Sequence, residues 1–571
     1  MYCELNACNF RPSYLALPAW SFAVLCLRDH PLIAAIAAES IPKICEFGFP
    51  DLAGAGIGVD IGPCQDLALL AWSFSALGIF DRPLMAALAS AARARIAEFN
   101  CQNLSNTAWS LSCLQDFDMP LLNAIASQSI RMQSLFDAQN MANTAWAFSK
   151  MALEDAPLLA ALSEEARRKI TDLGPQEMAN IAWSFAALAL TDKPLSNAIS
   201  AEVIPKLAQF EAQNLANTPW SWAALVLQDS TLMESLAAQA LRIISEYTMQ
   251  ELSNSAWACA TLSGDHDPLL DAIAAQARAT LQDELQRAVE LSKGEIRGSL
   301  EAAKLFEVNT GELAWSYTFL SQADRPFLKD VKAAQMEIGR AFQRHHVLWD
   351  AHPDIRRAIP LLQPGGAELP SIPRHLPGMC LVLKPPGWEV DTEGLHDIKH
   401  LSGFLQIALP PDRRALAFRP DFEFGFIHRL DTPSSGLILT ATDFEGYCCL
   451  EWQMYTYEIT REYHVVGHGL ARVPQREVVA RIRDVNVARV ADNGRPAHSR
   501  IRFLADIRRG VGDASYCIVG IRIFTGRRHQ IRVHMQHCGC ASVADGRYHP
   551  GPEVILRPED CLLGLHGAFN T

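Results

Sequence analysis

The sequence contains no run of 18 or more purely apolar residues, so no membrane-spanning helix is expected. It has 15 Cys but no CxxC pair; Cys448-Cys449 and Cys538-Gly-Cys540 are the closest approaches. That scatter argues against a zinc site or a disulfide framework and reads as reduced thiols, mostly core fillers. Lysine is scarce toward the C-terminus. Of the 24 basic residues in 370–571, only Lys384 and Lys399 are Lys, and Arg is the residue suited to bidentate phosphate and base contacts. The opening stretch "MYCELNACNFRPSYLALPAW" lacks the basic region and apolar core of a signal peptide. It begins inside repeat-like sequence, which leaves an upstream targeting segment open.

At 571 residues, several domains are expected. The net charge of −13 is uneven: 24 basic against 22 acidic residues in 370–571, but 26 against 41 in residues 1–369.

The N-terminal half repeats. "NLSNTAWSLSCL", "NMANTAWAFSKM", "EMANIAWSFAAL", "NLANTPWSWAAL" and "ELSNSAWACATL" align without gaps, and Trp72, Trp109, Trp146, Trp183, Trp220 and Trp257 recur every 37 residues. Trp20 and Trp315 mark two outer units, displaced by inserts near 48–63 and 282–311, for about eight units in all. Leu104, Ala108, Leu111 and Leu114 have helical spacing. Asp recurs nine residues after each Trp except at His266, and Pro at eleven except at Thr231. Asp followed by Pro in the first turn predicts a capped second helix. A helical hairpin cannot bury its face alone, so the expectation is an all-α solenoid over residues 1–345.

The Trp is expected to pack between repeats in the core. Asn106, Asn143, Asn180, Asn217 and Asn254 lie three before it and could cap the first helix, bond a neighbouring repeat, or line a groove and read a base edge. The two-helix unit resembles octatricopeptide-like repeats of organellar RNA-binding proteins. That resemblance implies RNA binding and a plastid or mitochondrial location, the cytoplasm being the alternative. The acidic balance keeps a protein partner open.

Residues 346–376 hold Pro and Gly in a pattern that predicts a linker. Strand-like pieces follow: "MCLVLKP", "GLILTAT", "REYHVVGHG", "HSRIRFLADI", "ASYCIVGIRIF" and "CLLGLHGAF". These predict a mixed α/β domain over residues 377–571 with a mainly antiparallel sheet.

Within it, "HRLDTPSSG" places Arg429 and Asp431 two apart between two apolar runs. "LVLKPPGWEV" precedes it; "REYHVVGHG", "TGRRHQIRVHM" and "ADGRYH" follow. In this order the motifs resemble the RluA-type pseudouridine synthase family. The resemblance implies that Asp431 is the catalytic aspartate, Tyr463 the active-site tyrosine and Arg532 the basic partner of the aspartate. It implies that Arg429 fills the gap left by a flipped nucleotide. His428, Arg527, Arg528, His529 and Gln530 are further substrate-side candidates, with Arg527 and Arg528 toward phosphates and Gln530 supporting the pocket. Lys384 and Pro385 are expected to form the fold. His529, His534 and His537 invite a metal reading, but two of them fall inside the family motif and no metal is expected.

The sequence departs from the family in three places. Pro433-Ser434-Ser435-Gly436 stands where Thr-Ser-Gly is usual, Arg528 adds a charge, and family members continue beyond "LHGAFNT", so a last piece of sheet is expected to be missing.

The chemistry wants this residue set independently. Making pseudouridine breaks N1–C1′, turns the uracil and joins C5 to C1′, with no redox step, so no cofactor is needed. A carboxylate attacks C1′ or deprotonates C2′; both routes stay open. A tyrosine offers a way out for the C5 proton. The expected function is an RNA pseudouridine synthase whose repeats dock RNA or a partner. The competing reading is an inactive RNA- or protein-binding scaffold.

Overall fold

The computed structural model describes residues 13–27, 29–44, 63–262, 266–291, 296–322, 325–346, 369–390, 399–469, 475–483, 488–491, 494–508, 515–543 and 548. The chain divides into two compact units, Met1–Gln239 and Ala240–Thr571.

The first unit is a stack of helical hairpins. Cys101–Leu114 pairs with Met119–Met132, Ala138–Lys150 with Ala156–Arg168, and Pro175–Ala187 with Lys193–Lys206. The Asp-Pro signal works as the sequence predicts. Asp81, Asp118, Asp155 and Asp192 each accept a hydrogen bond from the backbone N–H three residues on, at 2.9–3.0 Å. Leu104, Ala108 and Leu111 are buried, as are Phe99, Phe136, Leu173 and Phe210 at one repeated position. Adjacent repeats are also strapped by lysines. Lys169 Nζ donates to the carbonyls of Ser134 and Phe136, both at 2.8 Å, and Lys206 does the same to Thr171 and Leu173.

The Trp rings depart from the core expectation. From Trp72 to Trp220 they are half-buried at the surface edge of the first helices, and several stack on the next repeat. The Asn residues are not caps. Asn106 sits inside its helix, whose N-cap is Asn100, and Asn143 sits inside one capped by Asp137.

Among the described residues, the second unit holds two hairpins and all the strands. Met249–Leu262 pairs with Asp267–Leu291, and Ile296–Phe319 with Phe327–His346. Where an insert is expected at 282–311, the described residues continue as two long helices. The insert near 48–63, apart from Pro63, most of the Pro-rich stretch and the strand-like piece "CLLGLHGAF" lie outside the described residues; Ser371–Leu376, at the end of the Pro-rich stretch, is a strand.

The strands are β1 Ser371–Leu376, β2 Met379–Lys384, β3 Trp388–Glu389, β4 Lys399–His400, β5 Gly436–Ala441, β6 Arg461–His468, β7 Gln475–Val479, β8 Ile482–Arg483, β9 Arg489–Val490, β10 His498–Arg508 and β11 Ser515–Ile523. They form antiparallel sheets in the orders β1-β2-β5 and β6-β11-β10-β7, with a small parallel pair β3-β4 and a small antiparallel pair β8-β9. Cys380, Val382, Trp388, Leu405, Phe426 and Ile438 fill one core. Ile501, Cys517, Val519, Ile521 and Met535 fill another.

The helix Phe444–Tyr455 packs on the last hairpin of its own unit. Gly339 allows the approach: a Cβ there would lie 3.0 Å from both Glu445 Cα and the Phe444 carbonyl oxygen. Phe342 meets Phe444 with ring centroids 5.7 Å apart, and Lys304 Nζ reaches the Tyr447 hydroxyl at 2.7 Å.

Candidate active site

Asp431 sits in a loop leading into β5. Before it, the chain enters through Gly425 at φ +86°, where any side chain would run into the Ala441 carbonyl oxygen. After it, the Ser434 N–H donates to the Asp431 carbonyl at 2.9 Å and closes a turn. This turn is held from below. Lys384 is fully buried at the end of β2, and its ammonium donates to the carbonyls of Pro385, Thr432 and Ser434. Three donors meet three acceptors, so the buried ammonium is satisfied. Burial pushes its pKa down to about 8, against the pull of the Asp431 charge.

Arg532, in the helix Gln530–His537, places Nη1 3.5 Å from Asp431 Oδ2. The carboxylate stays about half exposed, at 48 %, open to a substrate. Behind Arg532, the Tyr548 ring lies 4.9 Å from the guanidinium carbon, a cation–π seat. The Tyr548 hydroxyl lies 2.9 Å from His529 Nδ1.

Tyr463 projects from β6. Burial raises its phenol pKa, Arg461 opposes that, and the Asp431 charge adds to it. The phenol therefore keeps its proton at neutral pH beside a carboxylate. Arg461 is half-buried, and its Nε has no hydrogen-bond partner among the described residues. It adds positive charge to the same wall.

The remaining candidates divide. Arg429 is exposed and makes no ion pair or hydrogen bond among the described residues. His428 Nε2 accepts from the Leu439 N–H at 3.1 Å, and burial followed by Arg461 pushes its pKa down to about 4. It is a neutral imidazole that pins the loop to β5. Arg527 donates from Nε to the Pro496 carbonyl at 3.0 Å, and burial pushes it down to about 10, so it is turned toward protein rather than toward a phosphate. Arg528 is exposed.

Gln530 is buried and fully engaged. Nε2 donates to the His498 carbonyl and to Ser499 Oγ, both at 2.9 Å. Oε1 accepts from the Thr525 hydroxyl at 2.7 Å and the Arg527 N–H at 3.0 Å. His534 extends this network, with Nδ1 2.9 Å from Ser499 Oγ and Nε2 3.2 Å from the Ala480 carbonyl. The carbonyl fixes the proton on Nε2. Among the described residues no His, Cys, Asp or Glu group could hold a metal ion.

Sequence reasoning missed Tyr548 and Arg461 and gave Lys384 no partner. The aromatic in "ADGRYH" was a signal for the first. Arg461 carried one as well, an Arg two before a site Tyr.

Residues 379–537 match the RNA pseudouridylate synthase family, and residues 64–292 match the RNA-editing substrate-binding complex 6 protein family. The ribosomal large subunit pseudouridine synthase D of Haemophilus ducreyi is 32 % identical over 149 residues, 26 % of this chain and 44 % of that protein. An uncharacterized RNA pseudouridine synthase of Chloroflexus aurantiacus is 29 % identical over 249 residues, 39 % of this chain and 72 % of that one. The solved structure of human RNA pseudouridylate synthase domain containing 1 aligns with TM-score 0.27 and 21 % identity, covering 33 % of this chain and 73 % of that one. The chain spans under half the length of the ribosomal large-subunit relative. The part of the chain that holds Asp431, Tyr463 and Arg532 is thus similar to RNA pseudouridylate synthases, and much of the helical array to RNA-editing substrate-binding complex 6 proteins.

Proposed function

We propose that this chain is an RNA pseudouridine synthase that isomerises uridine in a structured RNA, with its helical array docking RNA or a partner. The observation that carries the reading is the half-exposed Asp431 carboxylate 3.5 Å from Arg532.

A uridine stacked in RNA cannot reach Asp431, so the nucleotide flips out at a cost of roughly a few kcal/mol. Arg429, exposed two residues before the aspartate, stacks where the base was. Asp431 then attacks C1′, or takes a proton from C2′; both routes break the N1–C1′ bond. The uracil turns and C5 joins C1′. The Tyr463 hydroxyl takes the C5 proton as it passes its own to solvent, and N1 gains one from solvent, so the reaction is an isomerisation with no cofactor. Arg532 holds the carboxylate in place. The array's 37-residue hairpin unit supports an octatricopeptide-like reading, and with it work in a plastid or mitochondrion.

The test is pseudouridine formation on total organellar and cytosolic RNA by the chain and by Asp431→Asn. Product from the first and none from the second is expected, and mapped sites would name the RNA. No product from either would sink the enzyme and leave a binding scaffold.

A further inference from the structure

The first helices of the array present a polar stripe with one pattern. Gln102, Asn106 and Trp109 share a helix face, at spacings of four and three residues, and the triplet recurs every 37 residues through Gln213–Asn217–Trp220. In the other unit it stands as Gln250–Asn254–Trp257. In every triplet the Gln is exposed while the Asn and Trp are half-buried. None of these Gln or Asn carboxamides makes a hydrogen bond among the described residues, although each offers a donor and an acceptor. No carboxylate lies within a triplet.

A ladder of free carboxamides at one period fits a partner that has its own repeat. The ring centroids of Trp146 and Trp183 are 6.5 Å apart, and those of Trp183 and Trp220 6.3 Å. Two residues of an extended polypeptide advance roughly 6.4–6.8 Å. A carboxamide pairs with a peptide group through both its N–H and its C=O, so one Asn per repeat matches every second residue of a strand. The rings also accept cations: Lys150 Nζ lies 4.6 Å from the Trp146 centroid. The array as a whole is acidic, with 17 Asp and Glu against 10 Lys and Arg in residues 63–239. A phosphate backbone, whose affinity comes mainly from neutralisation by Lys and Arg, fits this array poorly.

We propose that the Gln–Asn–Trp stripe binds an extended polypeptide segment of a partner protein, with Lys or Arg at alternate positions. The amides hold its backbone, and its cationic side chains lie between the tryptophans. This stands whether or not residues 379–537 isomerise uridine.

The experiment uses the full chain and a fluorescein-labelled peptide of alternating Lys and Ser, long enough to span the four triplets of the first unit. Anisotropy follows binding, with an unstructured single-stranded RNA as the rival probe. Two triple variants are compared: Asn143→Ala with Asn180→Ala and Asn217→Ala, and Gln139→Ala with Gln176→Ala and Gln213→Ala. The second changes only exposed side chains, and circular dichroism checks both folds.

The peptide is expected to bind and to weaken by about a hundredfold in the Asn variant, three lost hydrogen bonds contributing about fivefold each. N-methylating alternate peptide residues in one parity should abolish binding, and in the other parity leave it. Binding of RNA in place of peptide, binding of neither, or peptide binding indifferent to the variants and to parity would each overturn the proposal.

Discussion

Trp315 donates its indole N–H to the Tyr457 hydroxyl at 2.7 Å, tying a helix of the last repeat to the turn just before β6. Tyr457 sits at φ +56°, a left-handed conformation unusual for a bulky residue, and its phenol is raised by burial. Replacing Trp315 by Phe keeps a ring and removes the donor. A loss of about 1 kcal/mol in stability is expected, as for one buried hydrogen bond. Tyr457→Phe should give a similar loss, and the double variant less than the sum. Strict additivity in urea denaturation would show that the bond contributes nothing.

Lys384 gives a second prediction. Lys384→Met fills the space but leaves the Ser434 carbonyl without its donor and the Thr432 carbonyl with the Gly387 N–H alone, at a cost of about 1–3 kcal/mol. Stability should fall, and turnover per folded molecule should fall further, because those carbonyls flank the Asp431 turn. A variant with lower stability but unchanged turnover would refute the positioning role.

Tyr548 seats Arg532. Tyr548→Phe keeps the ring and should retain most activity. Tyr548→Leu removes the cation–π contact, worth about 0.5–2 kcal/mol, so turnover should drop between about twofold and thirtyfold. Equal losses in the two variants would place the effect in the hydroxyl and His529 instead.

A fourth prediction concerns pH. Glu451 is pushed up to about 8, first by burial, then by Glu307 and Glu423, while Lys304 and Tyr447 oppose. An ordinary Glu titrates near 4.5, so across that window the folded state holds a proton that the unfolded chain has released. Stability therefore falls as pH rises from about 5 to 8. Glu307 is raised too, with the same sign. Glu451→Gln should flatten the dependence of the urea midpoint on pH; an unchanged slope would remove Glu451 from the account.

The sequence disclosed what is carried by contiguous residues. The capped second helices follow from Asp-x-Pro, and β2, β5, β6, β10 and β11 from their apolar runs. The pairing of Asp431 with Arg532, 101 residues apart, was legible only through the family resemblance. Lys384 was harder to read because its partners Thr432 and Ser434 lie 48 and 50 residues away. The Trp period implied packing between repeats but not its depth, since a stacked ring serves as well at a surface edge as in a core. The Gln seven before each Trp from Trp72 to Trp257 was harder to notice than the Asn, although it recurs from Gln65 to Gln250.

The close seat of Phe444–Tyr455 against Gly339 bears on transplanting the proposed reaction to a new RNA. A graft cut at the Pro-rich stretch would carry off the sheets but leave behind their supporting helices. Phe444 and Tyr447, both buried, would then face water, and such a surface invites clumping. The portable piece starts inside the helices, before Ile296, and any chimera has to inherit the last hairpin along with the aspartate.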